Sequence, residues 1–176
     1  MYAELQKSKS WKTRMIRPLV TLWQSVTGTR ANRNRDCNQD SDIDREIAYF
    51  TKIITLNPDS VWALLYRGMA YEGKGEFDRA IADYEKIIAF RPKRSGSHYA
   101  RGNAYYDKGD YDHAIADFDK AIALDPNYDR AYTKRGQAYA RKGNKEQAIA
   151  DLCKAFHIDP SDQDAKDGLR ALGVAP

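Results

Sequence analysis

The feature that most constrains this chain is that it says the same thing three times. Residues 66–92 read YRGMAYEGKGEFDRAIADYEKIIAFRP, residues 100–126 read ARGNAYYDKGDYDHAIADFDKAIALDP, and residues 134–160 read KRGQAYARKGNKEQAIADLCKAFHIDP. The copies align without a gap at a period of 34 residues. Arg67, Gly68, Ala70 and Tyr71 recur as Arg101, Gly102, Ala104 and Tyr105, then as Arg135, Gly136, Ala138 and Tyr139. A fixed period with fixed punctuation marks an array of supersecondary units. One unit cannot bury its own apolar face, so several must stack.

The middle copy shows what a unit is. Over 95–107, Tyr99, Gly102, Tyr105 and Tyr106 fall at three- and four-residue spacing, which places them on one helical face. Lys108 and Gly109 follow as a basic last turn and a residue suited to a left-handed cap. Asp110 is positioned to cap a second helix over about 111–124, whose stripe is Tyr111, Ala114, Ile115, Phe118, Ala121 and Ile122. Asp125-Pro126 stops it, because a residue before proline avoids helical geometry. Gly102 and Ala114 are expected where the two antiparallel helices come closest, with Tyr105 and Phe118 filling the space beside these notches.

At these residues the chain resembles tetratricopeptide repeat proteins. Their 34-residue unit carries small, aromatic and proline positions in the order of Gly68, Tyr71, Ala80, Tyr84 and Pro92. The match covers 61–94, 95–128 and 129–162, with Leu64, His98 and Tyr132 at the family's leading Trp position. The resemblance implies an all-α fold: a right-handed α-α superhelix, or solenoid, of three repeats. Residues 42–60 read as a leading half-repeat with the stripe Ile43, Ile47, Phe50 and Ile54. Residues 161–172 read as a capping helix carrying Ala165, Leu169 and Leu172. The expectation is roughly seven regular helices over 42–172, no sheet, and stops near Pro58, Pro92, Pro126 and Pro160.

Residues 1–41 form a basic arm ahead of a repeat domain at 42–172. The first 40 residues hold eight Lys and Arg against Glu4, Asp36 and Asp40. The chain as a whole is +4, so the remainder is near −1. Basicity therefore belongs to the arm. The stretch 28–41 is polar and reads as a linker. The apolar stretch 15–26, MIRPLVTLWQSV, can dock elsewhere, in the groove of its own chain or of a neighbour. Arg17, Pro18 and Gln24 spoil it as an export signal, so the cytoplasm is the expected location and export to a periplasm the alternative.

Little in the chain points to chemistry. His98, His113 and His157 lie in three different helices without a second ligand at helical spacing. The acidic runs 107–112 and 159–168 do not fit a calcium loop and read as helix caps and first-turn acids. No phosphate loop, catalytic triad or paired-carboxylate cleft emerges, so the chain reads as non-enzymatic, with no cofactor and no metal. The thrice-repeated Arg67/Asp83, Arg101/Asp117 and Arg135/Asp151 are as periodic as the scaffold and read as structural pairs.

Function should lie where the copies differ. The resemblance implies that each first helix lines the concave side. The inward residues are then Trp62, Leu65 and Met69, next Tyr99, Asn103 and Tyr106, and last Arg130, Thr133, Lys134, Gln137 and Arg141. This runs from apolar, through aromatic-polar, to basic, and suits a partner peptide with an apolar part and an acidic or carboxylate end. One subset of the family grips heat-shock chaperone tails with Lys, Asn, Asn, Lys and Arg. Arg130 and Lys134 match its last two in charge, but Leu65, Met69 and Ala100 do not match its first three, which disfavours that ligand. The leading reading is a scaffold binding a protein segment in its groove. One alternative is an anchor whose arm, with Trp11 and Trp23 beside Lys9, Lys12, Arg14 and Arg17, contacts anionic membrane or nucleic acid. Another is self-association through 15–26.

Overall fold

A computed structural model describes the backbone of residues 36–175 and the side chains of residues 42–175. Eight helices and no strand occur among the described residues. They are α1 (Asp36–Leu56), α2 (Val61–Gly73), α3 (Phe77–Phe90), α4 (Ser95–Lys108), α5 (Tyr111–Leu124), α6 (Asp129–Arg141), α7 (Lys145–Ile158) and α8 (Gln163–Ala171). The count is eight, not seven, because the half-repeat supplies one helix, each repeat two, and the closing segment one. Helix α1 begins at Asp36, inside the stretch that reads as a linker. Residues 1–35 of the arm, including 15–26 and its Trp and Lys/Arg residues, lie outside the described residues.

The helix ends follow local chemistry. Helices α1, α3, α5 and α7 stop at Leu56, Phe90, Leu124 and Ile158, two residues before Pro58, Pro92, Pro126 and Pro160. Gly109 closes α4 with φ +88°, a left-handed conformation that L side chains resist. Asp110 then caps α5 by accepting from the His113 N–H at 3.3 Å, and Asp162 caps α8 by accepting from the Ala165 N–H at 3.1 Å.

The helices form an all-α helical-repeat superhelix. Within each repeat the glycine of the first helix meets the large side chain of the second. A Cβ added at Gly68 would lie 2.5 Å from Tyr84, one at Gly102 would lie 2.8 Å from Phe118, and one at Gly136 would lie 3.0 Å from Leu152. Tyr84, Phe118 and Leu152 are buried to within 1%. Leu64, Ala80, Ile81, Tyr84, Ile87 and Ala104 form one core cluster, so the first repeat already depends on the second. Leu152, Ala155, Ala165 and Leu169 form another, through which α8 covers the last repeat.

Polar pairs tie the same elements together. Arg67, Arg101 and Arg135 each grip the aspartate 16 residues ahead with two hydrogen bonds of 2.6–2.8 Å. These are bridges between the two helices of a repeat, as the periodicity predicts. The same guanidinium groups also reach back to the preceding repeat: Arg67 to Thr51, Arg101 to Glu85, and Arg135 to Asp119. A second ladder joins Lys74 to Asp44, Lys108 to Asp78, and Lys142 to Asp112. Its spacing of 30 residues spans one repeat boundary each time.

Candidate functional site on the first helices

Adjacent first helices touch, α4 with α6 and α6 with α8. Their side chains that differ between repeats fall into separate groups. Trp62 is 51% exposed and stands edge-on to Phe50 and Tyr66, at 6.0 and 6.5 Å between centroids. Phe50 in turn stacks on Tyr66 at 5.6 Å. The aromatic neighbours of Trp62 thus belong to α1 and α2. Leu65 is half-buried against the first core cluster, and Met69 is half-buried.

The second and third repeats share another group. Tyr99 packs 5.9 Å from Phe118 and 5.0 Å from Tyr128. Burial pushes its hydroxyl up, and the Asn103 side chain partly offsets this. Tyr106 meets Tyr111 edge-on at 5.5 Å, and the Lys134 ammonium lies 5.3 Å above its ring. Interaction with the nearby Tyr106 hydroxyl holds the Arg141 guanidinium pKa above its ordinary value. Tyr106, Lys134 and Arg141 are therefore brought together by the fold. Arg130 is exposed and Gln137 half-buried.

One expected groove residue is not at the surface. Thr133 is 3% exposed, and its hydroxyl donates to the capping carboxylate of Asp162 at 2.6 Å. Helix α8 packs over this position, so Thr133 holds the closing helix and offers nothing to a ligand.

The apolar-to-basic gradient is also interrupted by two carboxylates that the groove reading omits. Glu72 on α2 accepts a hydrogen bond from the Tyr84 hydroxyl at 2.9 Å. Burial pushes its carboxyl up to about 7, opposed by that hydrogen bond, and the Asp107 charge raises it further while Lys134 lowers it. Burial raises the Asp107 carboxyl too, and Lys134 again opposes the shift. The positive charge of Lys134 therefore already faces two acids. The signal was present in the alignment, since Glu72 occupies the register of Tyr106 and Asp107 that of Arg141.

The remaining sequence candidates are placed as follows. His98 is 6% exposed, with Nε2 3.1 Å from the Pro92 carbonyl oxygen and Nδ1 3.6 Å from Asp117. His113 lies against Asp110, and His157 is exposed near the end of α7. No group of three His, Cys, Asp or Glu side chains that could hold a metal ion occurs among the described residues. Among those residues, too, no helix is long and apolar enough to cross a membrane.

Comparison with known proteins agrees with the fold. Family models described as tetratricopeptide repeat match residues 61–94 and 129–162, and one described as TPR repeat matches 102–143. No curated protein sequence matches the chain. Among solved structures, the first TPR of Spaghetti (RPAP3), bound to the HSP90 peptide SRMEEVD, is 27% identical with a TM-score of 0.62, covering 64% of this chain and 90% of that one. The second TPR domain of human RPAP3, in complex with the HSP70 peptide SGPTIEEVD, is 28% identical with a TM-score of 0.58, covering 61% and 89%. MamA is 25% identical with a TM-score of 0.66, covering 83% and 88%. With three family models matched along the repeats and neighbours of this kind, the chain is a protein-interaction module and belongs to the tetratricopeptide repeat family.

Proposed function

We propose that this chain is a non-enzymatic scaffold that holds an extended or helical segment of a partner protein against α2, α4 and α6. The observation that carries the reading is the cluster of Tyr106, Lys134 and Arg141. It is built from residues that differ between repeats, on helices whose other positions repeat. Side chains the scaffold does not need in every copy are free to select a ligand. Two neighbours with over 25% identity hold peptides ending in EEVD, which supports a partner with an acidic end. The mismatches at Leu65, Met69 and Ala100 argue for a different acidic segment from a chaperone tail.

In this reading Trp62, Leu65 and Met69 meet the apolar part of the segment, while Arg130 and Arg141 meet its acidic end. Lys134 contributes less than its charge suggests, because Glu72 and Asp107 oppose it. Desolvated aromatic anchors dominate such interfaces, and rim charges mainly set the association rate. The test is a pull-down from the native cell followed by binding kinetics. Trp62→Ala should cost about 2 kcal/mol or more, mainly through faster release. Arg130→Glu with Arg141→Glu should slow association and flatten its salt dependence. Wild-type kinetics in both variants would remove the first-helix face as the site.

A further inference from the structure

Of the turns that lead from one unit to the next, one is unlike the rest in charge. Residues 86–96 carry Lys86, Arg91, Lys93 and Arg94 and no acid. The equivalent stretch 52–62 sets Asp59 against Lys52, 120–130 sets Asp125 and Asp129 against Lys120 and Arg130, and 154–164 sets Asp159, Asp162 and Asp164 against Lys154. The scaffold builds the same turn without this charge, so the charge is not there for the scaffold. Lys86, Arg91, Lys93 and Arg94 are exposed, and none forms an ion pair among the described residues. The Arg94 N–H donates to the Arg91 carbonyl oxygen at 3.2 Å, which holds the three cations at 91–94 in one short turn.

Apolar groups stand beside these cations. Val61 and Phe90 line an open cleft of about 730 Å³ together with Arg91, Pro92, Lys93 and Arg94. Phe90, the last residue of α3, is 45% exposed, and Leu56, the last residue of α1, is 79% exposed. In the later repeats the same position is half-buried, at Leu124 and Ile158. Leu56 belongs to the same edge as the cleft. A turn in which the Ser60 N–H donates to the Asn57 carbonyl oxygen at 3.2 Å joins it to Val61. Ile54 and Val61 both pack against the core cluster that holds Ile87, one turn of α3 before Phe90.

We propose that this edge of the first two units docks on an anionic lipid surface, with Leu56 and Phe90 entering the headgroup layer and Arg91, Lys93 and Arg94 meeting lipid phosphates and carboxylates. The pairing of chemistries selects this partner. Apolar side chains that enter the interface and cations that meet anionic headgroups are the two forces that hold a peripheral protein on a membrane. A nucleic-acid backbone would engage the cations but give Leu56 and Phe90 no apolar phase to enter. An acidic protein segment would fill the cleft, which Leu56 does not line, and leave that side chain in water. A lipid surface takes up all five residues at once. None of them belongs to the first-helix set of the groove, so this inference and the groove reading stand or fall separately.

The test is co-sedimentation of the full chain with vesicles of phosphatidylcholine, alone or with phosphatidylserine added. The wild type should partition onto the anionic vesicles and much less onto the neutral ones. Lys93→Glu with Arg94→Glu should weaken that partition about tenfold or more. Leu56→Ser with Phe90→Ser should weaken it by a similar factor. All four side chains are exposed, so the urea midpoints of both variants should stay near the wild type. Lys120→Glu with Lys145→Glu makes the same change in net charge at exposed positions away from the edge and should leave partition near the wild type. No partition onto phosphatidylserine vesicles overturns the inference. An equal loss in the Lys120 and Lys145 variant overturns it too, because net charge, including that of the basic arm, would then explain the binding. Loss with the charge pair but not with the apolar pair would mean that the turn binds phosphate alone, as on a nucleic acid, and also overturns it.

Discussion

Single residues carry the sharpest energetics in this molecule. Glu72 is a carboxyl held at about 7 against an ordinary value of 4.5, so it favours the unfolded chain once the unfolded carboxyl ionises. The sign follows from proton counting: the folded state binds the extra proton, and stability falls as pH rises from 4.5 to about 7. Glu72→Gln removes that penalty. It should be neutral near the acid end of this window and stabilising by roughly 3 kcal/mol above it, read from urea midpoints at several pH values. A gain that does not depend on pH would show that Glu72 is not strained by its charge. Two glycines give a second contrast. Gly102→Leu puts bulk where a bare Cβ already lies 2.8 Å from Phe118, and should cost roughly 1–3 kcal/mol or more. Gly109→Ala has open space but a φ of +88°, and should cost about 1 kcal/mol. Equal urea midpoints for the two would contradict the placement of Gly102 between helices.

Between elements, two polar ladders do different work. The Arg67–Asp83 pair is nearly enclosed, with side chains 13% and 3% exposed, and its geometry is bidentate. Asp83→Ala strands the guanidinium between α2 and α3 and should destabilise by roughly 2–3 kcal/mol, somewhat less than a fully buried pair because Arg67 keeps some solvent and a bond to Thr51. The Lys108–Asp78 pair is open to water, at 43% and 80%. Asp78→Ala should leave the unfolding midpoint within error of the wild type. A result in the reverse order would mean that the boundary between repeats, not the repeat itself, is the unit of stability. The first ladder was legible in the sequence, because Arg and Asp recur at one offset inside each copy. The second was not singled out, because its partners sit on opposite sides of a repeat boundary.

At the level of the whole molecule, what repeats could be read from one sequence and what does not repeat could not. Helix order, proline stops, the Gly102 notch and the Gly109 cap are each stated three times or follow from local chemistry. The groove depends on which neighbour a side chain meets after stacking. Thr133 is buried because Asp162, 29 residues away, caps α8 against it. Lys134 is partly neutralised because Glu72 and Asp107 come from two other repeats. Neither fact has a local signature. The central claim is that the face built from α2, α4 and α6 binds a protein segment. Amide chemical-shift mapping of the full chain with the partner segment recovered from the native cell tests it most directly. The account predicts shifts concentrated on α2, α4 and α6, including Trp62, Tyr106 and Arg141. Shifts concentrated on α3, α5 and α7 instead would contradict it.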